Sequence, residues 1–287
     1  MGKFKSDDDK FQKILRSGKA YDDPEFIHSP DARTIRILTE YLYPEQYFRK
    51  YGVKKTILFF GSARSVPMKR LEEDLKILNE RYFNSDAEDK EKLKNRIEYF
   101  EKQRPISKLY DEAVELAKKV GDWSMSLPKW ERYYICTGGG PGMMEAANKG
   151  ALHANSESIG LNISLPFEQE PNQFITPELN FEFHYFFMRK FWFIYHAKAI
   201  VALPGGFGTL DEVMEILTLK QTQKVTKPLT ILFYGEEFWK RVIDFDYWIE
   251  MGMISPEDME LFKFVNSPDE AFEKIVKDME TLDLNTK

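Results

Sequence analysis

The chain has 287 residues, 43% of them hydrophobic, and a formal net charge of −6. That length suits one large domain or two small ones with a buried core, and the acidic balance excludes a broad electrostatic grip on nucleic acid. The single cysteine, Cys136, excludes an internal disulfide framework and fits a reducing, cytoplasmic setting. No apolar run approaches the length of a membrane span and no signal-peptide pattern opens the chain, so no membrane partner is expected. Met1-Gly2-Lys3-Phe4-Lys5-Ser6 matches the loose myristoylation pattern, and is read here as a frayed polar terminus.

Residues 1–53 are charged and aromatic, with a helical patch from Thr34 to Leu42. They read as an extension packed on a main domain of residues 54–287. That domain opens with Thr56-Ile57-Leu58-Phe59-Phe60-Gly61, an apolar run ending in glycine, as expected of a buried strand entering a loop. Residues 68–104 are densely charged. Leu71, Leu75 and Leu78, then Leu93, Ile97 and Phe100, recur at helical spacing and predict a helical hairpin turning near Asn84-Ser85-Asp86. Leu109 to Val120 continues as an amphipathic helix.

Further on, strands are expected at Tyr133–Cys136, Ser158–Leu165, Ala199–Leu203 and Leu229–Tyr234. Helices are expected at Met143–Ala154, Met188–Ala197 and Thr209–Gln223, with the remainder mostly helical. Strands alternating with helices predict a doubly wound parallel sheet covered on both faces, and in such sheets ligands bind outside the carboxyl ends of the strands.

Two glycine loops stand at those ends. The first is Gly138-Gly139-Gly140-Pro141-Gly142, followed by Met143, Met144 and Glu145. Its glycines permit a tight turn and close approach to a ligand, and the following helix offers free N–H groups to a phosphate. The second, Gly205-Gly206-Phe207-Gly208-Thr209, repeats the design. Thr209 and Glu212 also have the T-x-x-E spacing of a capping box, which leaves a structural role open for both. Neither loop is a Walker A loop or a G-x-G-x-x-G fingerprint, so no dinucleotide cofactor is expected. Four His and one Cys lie scattered without ligand spacing, so no metal is expected.

Arg189 lies among Phe181, Phe183, Tyr185, Phe186, Phe187, Phe191, Trp192 and Phe193. It is either a snorkelling surface residue or a buried cation with an anionic partner. With Glu212 it would suit a site for a charged sugar phosphate.

Together these residues resemble the LOG (lonely guy) family, the cytokinin riboside 5′-monophosphate phosphoribohydrolases. Pro204-Gly205-Gly206-Phe207-Gly208-Thr209-Leu210-Asp211-Glu212 is similar to the PGGxGTxxE signature, Met188-Arg189-Lys190 to the arginine motif before it, and Gly138–Glu145 to GGGPGxMEA. Gly61-Ser62-Ala63-Arg64 is similar to the GSAR loop of longer members. The resemblance implies a Rossmann-like fold and hydrolysis of a nucleoside 5′-monophosphate to free base and ribose 5-phosphate. It implies Arg189 and Glu212 as catalytic residues, no cofactor, and at least a homodimer. On this reading the two glycine loops hold the phosphate, with Ser62, Glu145 and Asp211 as further candidates. Asp211 replaces the glutamate common at its position. The extension and the insertion depart from the short members and leave the base open between adenine, as in AMP, and a cytokinin. Members often carry the label lysine decarboxylase, but nothing in this sequence supports a pyridoxal phosphate site. The alternative reading is a nucleotide- or cofactor-binding sensor or carrier of the same fold without catalysis.

Overall fold

The computed structural model describes residues 18–165 and 170–285, so the amino-terminal hexapeptide lies outside the described residues. The chain divides into two compact units, Met1–Tyr43 and Pro44–Lys287. The first holds α1 (Pro24–His28) and the start of α2 (Arg33–Tyr51). Asp23 caps α1 by accepting from the N–H groups of Glu25 and Phe26 at 3.0 and 3.2 Å. Arg36 donates to the carbonyls of Ile27 and Ser29, which ties α2 to the end of α1.

The second unit follows in the order β1 (Thr56–Phe60), α3 (Met68–Asn84), α4 (Ala87–Glu101), α5 (Arg104–Ser126), β2 (Tyr134–Thr137), α6 (Met143–His153), β3 (Ser158–Ile163) and β4 (Asn180–Phe183). It continues with α7 (Phe186–Tyr195), β5 (Ala197–Ala202), α8 (Phe207–Gln221), β6 (Thr230–Tyr234), α9 (Glu236–Val242), α10 (Phe245–Glu250), β7 (Lys263–Val265) and α11 (Pro268–Asn285). The helical hairpin turns at Ser85-Asp86, where Asp86 caps α4 through the Asp89 N–H.

Among the described residues the seven strands are all parallel, in the order β4-β3-β2-β1-β5-β6-β7. The chain winds outward from β1 through β2, β3 and β4. It then returns to the other side of β1 and winds away through β5, β6 and β7. This is the doubly wound sheet expected from the alternation of strands and helices, and its direction reverses between β1 and β5. Two strands were not expected. β4 alternates exposed and buried residues at the sheet edge, and its Phe181 and Phe183 read more readily as aromatics around Arg189. β7 has only three residues, too few to show a period.

β1 is buried along its whole length because helices cover both faces. Ile57 and Phe59 pack with Tyr110 and Leu116 of α5, Met143 of α6 and Ile275 of α11. Phe60 faces the other side, where its ring meets Phe193 of α7 edge-on at 5.1 Å. Each such buried Leu, Ile or Phe contributes roughly 1.5–3 kcal/mol. Cys136 is buried in β2, and burial pushes its thiol up, so it is inert at neutral pH. Among the described residues no helix is long and apolar enough to cross a membrane.

Candidate active site

A cleft of about 750 Å³ opens at the carboxyl ends of β1, β2 and β5, where the winding reverses. Three loops line it: Gly61–Arg64 after β1, the first glycine loop after β2, and the second after β5. Ser62 holds them together. Its N–H donates to the Pro204 carbonyl at 3.0 Å, and its own carbonyl accepts from the Met143 N–H at 2.9 Å. Ser62 therefore ties the entry of the second glycine loop to the start of α6, the helix after the first.

The glycines of the second loop have two different causes. A Cβ on Gly205 would lie 2.1 Å from Thr209 Oγ1 and 3.1 Å from the Ser62 nitrogen, so the fold itself demands glycine there. A Cβ on Gly206 or Gly208 would meet nothing within 4 Å. Both line the cleft, and packing gives no reason for their lack of a side chain. The open space beside them leaves the backbone accessible from the cleft. Helix α8 begins at Phe207, two residues earlier than expected, with Gly206 as its N-cap and no side-chain cap. Thr209 is thus the third helical residue, and the capping box suggested by Thr209 and Glu212 does not form. The N–H groups of Phe207, Gly208 and Thr209 lack carbonyl partners within the helix, as the first turn of any helix requires.

Arg189 on α7 and Glu212 on α8 meet at the cleft wall, with Nη2 to Oε1 at 3.3 Å. Glu212 is 5% exposed. Burial raises its carboxyl to about 7, against the opposing pull of Arg189 and Lys190. Burial also works against the charge of Arg189, although a guanidinium stays protonated. Its charge lies over the rings of Phe193 and Phe186, 5.1 and 5.4 Å from their centroids. Its buried Nε has no hydrogen-bond partner among the described residues. Arg189 is therefore the buried cation with an anionic partner, not a snorkelling residue.

The other expected site residues are distributed as follows. Ser62, Gly138, Gly140 and Thr209 line the cleft with Gly205, Gly206 and Gly208, whereas Gly139 and Gly142 do not line it. Glu145 is turned away and accepts from the Tyr110 hydroxyl at 2.8 Å. Asp211 is also turned away and pairs with Lys190 at 2.8 Å. Arg64, the last residue of the GSAR-like loop, and Asn162 line the cleft as well, and Asn162 carries no sequence signal beyond its residue type.

The sheet and the cleft define a Rossmann-like α/β protein with two glycine loops converging at the switch point. A family model described as "Possible lysine decarboxylase" matches residues 144–275, a span that includes Arg189 and the second glycine loop. Cytokinin riboside 5'-monophosphate phosphoribohydrolase LOG1 of Arabidopsis thaliana is 28% identical over 169 residues, 58% of this chain and 74% of that protein. Probable cytokinin riboside 5'-monophosphate phosphoribohydrolase LOGL3 of Oryza sativa subsp. japonica is 26% identical over 175 residues, with the same coverage of 58% and 74%. These matches bear out the resemblance to the LOG family that the motifs indicated. Among solved structures, the Moco carrier protein from Chlamydomonas reinhardtii is similar at 18% identity and a TM-score of 0.43, over 79% of this chain and 99% of that one. That likeness is too distant to bear on function.

The residues do not fit the chemistry in the family model's description. Pyridoxal phosphate is held as a Schiff base with lysine, and among the described residues no lysine lines the cleft. Lys190, the nearest in sequence to Arg189, is paired with Asp211 and Glu215.

Proposed function

We propose that this protein hydrolyses the N-glycosidic bond of a nucleoside 5′-monophosphate, AMP or a cytokinin riboside monophosphate. The bond from C1′ to the base nitrogen breaks, with the electron pair leaving on the base. Water supplies hydroxyl to C1′ and a proton to the base, and the products are free base and ribose 5-phosphate.

The observation that carries this reading is the buried Arg189–Glu212 pair in the wall of a cleft that also holds both glycine loops. The loops offer helix N–H groups to the phosphate. Glu212, as carboxylate, stabilises the positive charge that develops on the ribose as the base departs. Its titration near 7 makes that form available at neutral pH. Arg189 orients the substrate or steadies the departing base, and cleavage of this bond needs no redox cofactor. The phosphoribohydrolase names of the relatives support the same reaction class. The reading includes a homodimer, for which Phe187, Phe191 and Tyr195 on α7 supply exposed apolar surface.

Incubating the protein with AMP and separating the products by chromatography tests the reaction. Equal amounts of adenine and ribose 5-phosphate are expected. Binding of AMP without adenine release would replace the hydrolase with a sensor or carrier.

A further inference from the structure

The first glycine loop is held from behind by amide side chains. Asn172, which lies between β3 and β4, donates from its backbone N–H to the Gly139 carbonyl at 2.8 Å. Its side-chain Nδ2 reaches three acceptors: the carbonyls of Gly139 and Gly140 at 3.0 and 3.1 Å, and Asn148 Oδ1 at 3.0 Å. The orientation of the amide is determined, because Oδ1 accepts from the Phe174 N–H at 3.1 Å. The Gly139 N–H is engaged as well, donating to Thr137 Oγ1 at 2.9 Å. Thr137 in turn donates to Asn148 Oδ1 at 2.7 Å. Thr137, Asn148 and Asn172 are all buried. Gly139 has φ +75° and its absent Cβ would lie 2.1 Å from Asn162 Oδ1, so only glycine fits at this position.

A trans peptide points its C=O and N–H in opposite directions, and among the described residues no peptide is cis. Drawing the Gly139 carbonyl inward to Asn172 therefore turns the Gly140 N–H outward, and Gly140 lines the cleft where Gly139 does not. The next peptide cannot substitute, because Pro141 has no N–H.

We propose that Asn172 is a positioning residue of the phosphate site: by holding the Gly139 and Gly140 carbonyls it aims the Gly140 N–H at the substrate's phosphate. This rests on the phosphate-binding part of the function proposed above. It does not depend on glycosidic cleavage.

The experiment measures ribose 5-phosphate binding by calorimetry, and adenine release from AMP and from adenosine, for the parent, Asn172→Ala and Asn172→Asp. Loss of one aimed donor to a phosphate should weaken ribose 5-phosphate about 10- to 100-fold and reduce the AMP-over-adenosine preference by a similar factor. Asn172→Asp keeps the side-chain volume and turns an acceptor on the two carbonyls, so it should lose at least as much and serves if the alanine variant does not fold. Unchanged ribose 5-phosphate affinity in a folded variant overturns the proposal. So does an equal fall for AMP and adenosine, which would mark general damage to the fold, and so does a parent that binds no ribose 5-phosphate. A parent that binds ribose 5-phosphate tightly but releases no adenine overturns the hydrolase reading and leaves this one intact.

Discussion

Arg189 and Glu212 lie 3.3 Å apart across the cleft wall, yet burial pushes each of them away from its charged form. The loss of hydration outweighs their mutual attraction, the usual balance for a buried ion pair. Such a pair is poor evidence of a stability role. It lies between two glycine loops at the switch point of the sheet, in the wall of the cleft.

The pair should be indispensable to turnover. Glu212 is the sixth residue of α8 and not part of a capping box, so Glu212→Gln changes charge without removing a cap. We expect kcat to fall by roughly 10²-fold or more, as for loss of a group that stabilises transition-state charge. Arg189→Ala should lose activity comparably, with circular dichroism unchanged in both. Turnover near that of the parent in folded Glu212→Gln would sink its catalytic assignment.

Glu212 also predicts opposite pH trends for activity and stability. Under the proposed function the carboxylate is the working form, so kcat/KM should climb as pH rises through about 7 and level off above it. Between 4.5, its ordinary value, and about 7, the folded chain holds a proton that the unfolded chain has released. The stability from this group is full below 4.5 and is lost as pH rises to about 7. Activity profiles and urea unfolding at pH 5 and 8 check both. Glu212→Gln should remove this component of the stability difference, and a parent profile falling through pH 7 would mean the protonated acid is the active form.

Two glycines of one loop should answer differently to alanine. Gly208→Ala adds a methyl in open space at the second residue of a helix, so stability should hold or rise by up to about 1 kcal/mol. AMP binding should weaken, because under the proposed function the substrate approaches the backbone there. Gly205→Ala drives a methyl into Thr209 and should destabilise by about 1–3 kcal/mol. Thermal melts and KM for AMP separate the two. A Gly208→Ala enzyme with the parent's KM would show that nothing approaches the loop there.

Monophosphates should be strongly preferred to nucleosides. The loop N–H groups serve an anion and offer little to a bare 5′-hydroxyl. A phosphate held away from the reacting carbon supplies binding energy for orientation. Charge-assisted hydrogen bonds contribute roughly 1.5–3 kcal/mol each, so loss of two costs about 10²- to 10⁴-fold in kcat/KM. Adenine release from AMP and adenosine under matched conditions measures it. Comparable values would mean that the loops do not grip the reacting substrate's phosphate.

Much of this protein was legible along the chain because it is written in local periodicity. The apolar run Thr56–Phe60, the leucine spacing of the helical hairpin and its turn, and the glycines after β2 and β5 each act over a few residues. Their order alone specifies a parallel sheet with both glycine loops at strand ends. What spacing cannot convey is which side of a helix meets which neighbour. Glu145, Asp211 and Glu212 all follow glycine loops, but Glu145 is taken by Tyr110, Asp211 by Lys190, and only Glu212 enters the cleft. The T-x-x-E pattern suggested a cap until the helix was found to begin two residues earlier. Asn172 carries no pattern at all, since a lone asparagine in a loop is common and its three acceptors come from residues 24 to 33 positions away. The raised carboxyl of Glu212 is likewise a property of the folded chain, because it arises from water removed by elements distant in sequence, and desolvation has no signature in the order of residues.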